Sequence, residues 1–249
     1  MNPAAATGAG DMARCPAARQ GRAAPPAAVG RLTGAGLVYA GGVSGAVAAA
    51  TRQARLLDDD ETRRLAGFHR EADRDRFLVA HVCLRRLLGE CLGSDPANLV
   101  FVREPCLSCG GPHGRPVLQG AAVHFSLSHS GDRFVIALAT HTIGVDVETV
   151  PGPDLATEAM AVLHPVEREE LNGLPHGRRP AAFARCWTRK EAVLKAAGIG
   201  LSEDPATLYV GTGPRPVAPA GWSLVDLPLD RGHAAAYAAR PTGSPAGTA

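Results

Sequence analysis

Two short stretches carry residue types suited to chemistry: Gly144-Val145-Asp146-Val147-Glu148 and Trp187-Thr188-Arg189-Lys190-Glu191-Ala192-Val193-Leu194-Lys195. Read as a strand, the first points Ile143, Val145 and Val147 one way and Asp146 and Glu148 the other, because strand side chains alternate. The two carboxylates then stand about 6–7 Å apart on one face, at about 3.3 Å per residue. That spacing suits two side chains converging on one hard cation. It also suits an ordinary half-buried strand with one wet face. Read as a helix, the second stretch places Glu191 about 40° from Trp187, at about 100° per residue. Glu191 therefore leans toward the apolar stripe, where an unpartnered carboxylate is costly. Glu191 and Lys195 are also four apart, the spacing of a surface ion pair worth about 0.3–0.5 kcal/mol.

The basic residues sharpen the reading. Of 26, two are lysine and the rest arginine, and both lysines, Lys190 and Lys195, lie in this helix. Lysine offers a compact ammonium, arginine a broad planar fork. The simplest inference is that these two positions accept only the ammonium.

The 249 residues must fold so as to bring these stretches together. The formal net charge of +2 gives no strong field for nucleic acid or an anionic membrane. No run of 18 apolar residues reads as a membrane span. No charged start followed by an apolar core reads as an export signal, and six cysteines without one lead us to expect a cytoplasmic protein. Residues 1–34 are Ala, Gly, Pro and Arg with little to bury, and are expected as a loose tail, as are 241–249. Asp58-Asp59-Asp60-Glu61 favours a helix start. A helix from about Ala72 to Leu92 carries the stripe Phe77, Ala80, Leu84, Leu87, Leu88 and Cys91, ended by Gly93. Strands are expected at Leu99–Val102, Ala122–Leu127 and Phe134–Ala139, with a turn at Ser128-His129-Ser130-Gly131. Helices follow near Leu155–Leu163, Val166–Leu171 and Pro180–Ala197, then strands at Thr207–Val210, Trp222–Val225 and Ala234–Ala239. Mixed helices and strands in both halves give an α+β or α/β class.

In this order the motifs resemble the 4′-phosphopantetheinyl transferases of the Sfp type. The paired-carboxylate motif is Gly144 to Glu148. The helix motif is Trp187, Lys190-Glu191-Ala192 and Lys195. The phosphate-contacting turn is Ser128-His129-Ser130-Gly131, and the Gly-Lys/Arg-Pro loop is Gly114-Arg115-Pro116. The resemblance spans about residues 55 to 210. It implies two similar ferredoxin-like α/β subdomains in pseudo-twofold relation, here 35–140 and 141–240, with coenzyme A between them. It implies transfer of the 4′-phosphopantetheine arm to a serine of an acyl- or peptidyl-carrier protein, releasing 3′,5′-ADP. It implies Mg²⁺, with Mn²⁺ a substitute, on Asp146, Glu148 and Glu191. Glu191 is then the candidate general base, Lys195 the partner of the leaving phosphate and Lys190 a phosphate ligand. Ser128, His129, Arg115, Arg64 and Arg76 are the other expected coenzyme A contacts.

Two departures from the family pattern stand out. Val147 replaces a third acid found in some relatives, and Arg115 stands where lysine is common; its fork keeps the phosphate-binding charge. Cys106, Cys109 and His113 offer three potential zinc ligands, one fewer than a structural site normally has. Cys83, Cys91 and His81 read as ordinary helix residues. A monomer is expected. Two other functions fit parts of the pattern: a non-catalytic carrier-binding protein and a Mg²⁺-dependent pyrophosphate hydrolase.

Overall fold

The computed structural model describes residues 27–32, 36–107, 109–112 and 114–240. In chain order its elements are β1 (Ala27–Leu32), β2 (Gly36–Gly42), α1 (Val47–Thr51), α2 (Asp59–Ala66), α3 (Glu71–Leu92), β3 (Phe101–Arg103), β4 (Pro116–Leu118), β5 (His124–Ser130), β6 (Arg133–Ala139) and β7 (Ile143–Thr149). Then come α4 (Pro153–Ala159), α5 (Pro165–Asn172), α6 (Arg179–Ala197), β8 (Ser223–Asp226) and β9 (His233–Ala239). The fold is α+β with antiparallel sheets, ordered β1-β2-β6-β5, β3-β4 and β7-β9-β8.

Each large sheet carries one long helix. On the first, Leu84, Leu88 and Cys91 of α3 pack with Phe134, Ile136 and Leu138 of β6. On the second, Ala192 and Ala196 of α6 pack with Ala236 and Ala238 of β9. The other faces of the sheets bury each other: Val38, Ala40, Val135 and Ala137 meet Ile143, Val145, Val147 and Tyr237. That explains why β6 reads as an unbroken apolar run, since both its faces are covered. The helix ends follow their local signals. Asp58 and Glu61 form a capping box at the start of α2. Gly93 and Gly198, at φ +62° and +78°, end α3 and α6. No described helix is long and apolar enough to cross a membrane.

Three expectations are corrected. The loose tail through residue 34 is interrupted, because Ala27–Leu32 pairs antiparallel with β2. An edge strand can be held by backbone bonds, and its composition said little about that; residues 1–26, 33–35 and 241–249 lie outside the described residues. Ser128 and His129 belong to strand β5, and the reversal is confined to Gly131-Asp132, with Gly131 at φ +56°. The strand expected at Thr207–Val210 is a short 3-10 turn, Pro205–Thr207, followed by irregular chain. Its backbone groups are taken by side chains: Val210 N–H donates to Glu167 Oε1 at 2.7 Å, and Lys190 donates to the Leu208 carbonyl.

That last contact settles where Lys190 goes. Its ammonium is wholly buried and meets Glu167 Oε2 at 2.6 Å, the Pro205 carbonyl at 2.9 Å and the Leu208 carbonyl. All three donors are occupied, and none is left for a phosphate. A tripod of acceptors fits a tetrahedral ammonium and excludes a planar guanidinium. The rarity of lysine was informative here, but about structure.

Gly144 of β7 lies against the backbone of α6. A Cβ there would lie 2.1 Å from the Ala192 carbonyl oxygen and 2.5 Å from the Ala196 nitrogen. Both obstacles are backbone, so no rotamer change relieves them.

Two predictions follow from this packing. Lys190→Met leaves the Glu167 carboxylate buried without its counter-charge, a loss of about 3–5 kcal/mol. A denaturant titration should show that loss. Gly144→Ala forces α6 away from β7, at an overpacking cost of at least about 1–3 kcal/mol. Thermal unfolding should fall by several degrees, at roughly 2–4 °C per kcal/mol for a chain of this size.

Candidate active site

Strand β5 presents a row of hydroxyls to β7. Ser126, Ser128 and Ser130 alternate along β5, so they share one face. The Val145 N–H donates to Ser126 Oγ at 3.0 Å, and the Thr149 N–H to Ser130 Oγ at 3.1 Å. Between them Ser128 Oγ donates to Asp146 Oδ1 at 2.7 Å, and Ser130 Oγ to Glu148 Oε2 at 2.8 Å. The row therefore stitches the two sheets together and holds both acids of the motif. Gly131 lets the end of the row approach β7, since a Cβ there would lie 2.6 Å from Thr149 Oγ1.

Helix α6 completes the cluster. Lys195 Nζ lies 2.6 Å from Asp146 Oδ1 and donates to Ser128 Oγ at 3.1 Å. It thus passes over the Glu191 partner that its spacing offered and reaches across to β7. Asp146 is 2 % exposed. Burial pushes its carboxyl up, against the pull of Lys195 and the Ser128 bond. Glu148 is raised by burial and by the Asp146 charge, with the Ser130 bond opposing. Glu191 is raised by burial and then by Asp146, with Lys195 opposing. The three carboxylates therefore stand in one another's field with a single ammonium among them.

A cavity of about 1310 Å³ opens beside this cluster. Lys195, Ser128 and His129 line it, and buried Asp146 bonds to the first two of these. Arg64 and Arg115 line it as well. Arg64 sits over the Phe77 ring at 5.2 Å. Arg115 is held by Glu104 at 2.8 Å and donates to the Ala196 carbonyl at 3.4 Å, which ties the Gly114 loop to the end of α6. Arg76 is outside the lining, paired with Asp73 and donating to the Gly131 carbonyl at 3.4 Å. Burial lowers His129, and the charges of His81, Arg76 and Lys195 add to the effect. A neutral imidazole results at neutral pH. The α2–α3 side of the cavity is braced by buried Arg85, which binds Glu61 and Asp58, each at 2.6 Å. His81 reaches Glu61 at 2.7 Å and stacks on Phe77, as a satisfied helix residue does.

The donor set suits a hard cation. Three carboxylates repel one another, and Asp146 Oδ2 is buried without a hydrogen-bond partner. Among the described residues, no group of three or more His, Cys, Asp or Glu side chains is gathered so as to hold a metal. Asp146, Glu148 and Glu191 are the carboxylates that would hold such a cation. Of the zinc candidates, Cys106 is buried and Cys109 exposed, while His113 lies outside the described residues.

The structure thus joins Asp146 to Lys195 and Ser128 by direct bonds, sets Glu148 and Glu191 in the same field, and lines one cavity with Lys195, Ser128, His129, Arg64 and Arg115. It does not bring Lys190 there. Sequence reasoning missed Ser126 and the bond of Ser130 to Glu148; the i, i+2, i+4 serine spacing was the available signal.

The chain's similarities agree with this geometry. Residues 142–232 match the model of the 4′-phosphopantetheinyl transferase superfamily. The 4′-phosphopantetheinyl transferase HetI of Nostoc is 35% identical over 195 residues, covering 74% of this chain and 79% of that protein. The transferase psf-1 of Bacillus pumilus is 30% identical over 167 residues, covering 60% and 68%. That of Bacillus subtilis is 29% identical over 153 residues, covering 61% and 64%. The chain belongs to the 4′-phosphopantetheinyl transferase superfamily and is an enzyme of that kind.

Proposed function

We propose that this enzyme moves the 4′-phosphopantetheine arm of coenzyme A onto a serine of an acyl- or peptidyl-carrier protein, releasing 3′,5′-ADP, with Mg²⁺ required. The observation that carries the reading is the position of Lys195. It faces a cavity of about 1310 Å³ on one side and touches buried Asp146 on the other. A diphosphate in that cavity would lie against the ammonium, with Asp146 bonded to its other side.

The reaction is a displacement at the phosphorus that bears pantetheine. The carrier serine oxygen bonds to phosphorus, and the bond to the adenosine-side phosphate breaks. Glu191 takes the serine proton, directly or through water. Its raised proton affinity makes it a better base than a free carboxylate. Lys195 neutralises the departing phosphate. Neutral His129 donates a hydrogen bond to a phosphate oxygen, and Arg115 and Arg64 pair with the remaining phosphate charge. Mg²⁺ held by Asp146 and Glu148, with Glu191 in reach of the same field, would neutralise charge on the diphosphate.

The direct test is intact-mass analysis of apo carrier proteins incubated with coenzyme A and Mg²⁺. The expected result is one added phosphopantetheine arm, lost without metal and lost in Asp146→Ala. Carrier bound but unmodified would mark a non-catalytic binder. Coenzyme A cleaved without carrier would mark a hydrolase.

A pH prediction follows from the raised carboxyls. Glu148 and Glu191 hold protons more tightly in the folded than in the unfolded chain. Their effect on stability is therefore most favourable below the unfolded value of about 4.3 and weakens as pH rises through the raised folded values. Catalysis has the opposite sense, because Glu191 must be ionised. Without metal, melting temperature should fall as pH rises across that window. Mg²⁺ should restore it, and Glu191→Gln should flatten the slope.

A further inference from the structure

The contact between Lys195 and Asp146 bears on how the metal enters. Asp146 Oδ1 already accepts two hydrogen bonds, from Lys195 and Ser128. Its other oxygen is buried with no partner. The carboxylates of Glu148 and Glu191 share the same field, yet no three described acids are gathered for a metal. A divalent cation approaching Asp146 would meet an ammonium at the carboxylate it needs. Two cations at one carboxylate repel each other. The lysine, however, has somewhere to go. Its side chain is 31% exposed, against 3% for Asp146, and it lines the cavity. Lysine is a point charge on a flexible four-carbon stem, so it can swing where an arginine fork would not.

We propose that Lys195 is the resident counter-ion of Asp146 in the free enzyme, and that it gives up this place only when a phosphate in the cavity accepts it. The divalent cation then binds weakly to the free enzyme and tightly with coenzyme A. The inference rests on the reading of the cavity as a coenzyme A site. It adds an order: the phosphate draws the ammonium off, and the vacated carboxylate becomes available. Lys195 thereby carries the coupling between the two ligands, and linkage makes the coupling reciprocal, so metal tightens coenzyme A by the same factor.

The test is Mn²⁺ binding to the full-length protein, followed by the electron spin resonance of free Mn²⁺ and by calorimetry, with and without coenzyme A. In wild type, coenzyme A should tighten Mn²⁺ at least about tenfold. Lys195→Met should bind Mn²⁺ without coenzyme A about tenfold more tightly than wild type, and its dependence on coenzyme A should shrink correspondingly. Lys195→Gln keeps a polar tip for Ser128 and takes the place of the Met variant if that one unfolds. Arg115→Gln removes one positive charge from the same cavity without touching Asp146, and should change free-enzyme Mn²⁺ affinity by less than about threefold. If wild type binds Mn²⁺ with coenzyme A but Lys195→Met matches wild type without it, the counter-ion role is overturned. An Arg115→Gln gain equal to that of Lys195→Met also overturns it, by reducing the effect to general charge. If wild type fails to bind Mn²⁺ even with coenzyme A, the metal reading of the site falls first, and the counter-ion inference with it.

Discussion

The site depends on how closely α6 can lie on β7. A helix normally stands off a sheet by the depth of its side chains. Here Gly144 faces the backbone of Ala192 and Ala196 directly, and Ala236 and Ala238 continue the small surface along β9. The approach is what puts Lys195, a helix residue, within 2.6 Å of a strand carboxylate. Any Cβ at residue 144 takes the space occupied by the helix backbone. The glycine that opens the acidic motif is thus a spacing device, and the acids after it gain their partners through it.

The second constraint is the burial of charge. A carboxylate as enclosed as Asp146 needs compensation, and it receives it from both halves of the fold. Lys195 comes from the second sheet's helix and Ser128 from the first sheet. The serine row of β5 replaces a backbone ladder between β5 and β7 with side-chain bonds. Those bonds both join the sheets and orient the acids, so fold and chemistry share the same contacts. Glu167 and Lys190 show the contrasting case. Their pair is fully enclosed and fully bonded, and it anchors the chain after α6 without facing the cavity.

Much of this was legible before the structure. Alternation along Gly144–Glu148 separated the core valines from the acids, and the structure agrees: Val145 and Val147 are fully buried between the sheets. The extents of α3 and α6 followed from their periodicity and their terminal glycines. What was hidden depended on distant partners. The i,i+4 rule offered Glu191 to Lys195, but it cannot know that a strand carboxylate will lie closer. Lysine rarity marked Lys190 and Lys195 alike, yet it could not separate a buried tripod from a cavity wall. Thr207–Val210 had strand-like residues, but its backbone bonds were already committed to Glu167 and Lys190. Ser128-His129 resembled a turn because small polar residues favour turns; here the same hydroxyls are spent on a neighbouring strand.

The central proposal is that Lys195, bonded to Asp146 here, acts as a compact ammonium that passes to phosphate during transfer. The most direct measurement is the turnover rate of Lys195→Arg, with coenzyme A and an apo carrier protein both saturating. Positive charge is retained, so binding by charge alone would be preserved. A planar guanidinium does not reproduce the ammonium's bonds to Asp146 Oδ1 and Ser128 Oγ. The account predicts a rate well below wild type with little change in melting temperature. A rate equal to wild type would contradict it.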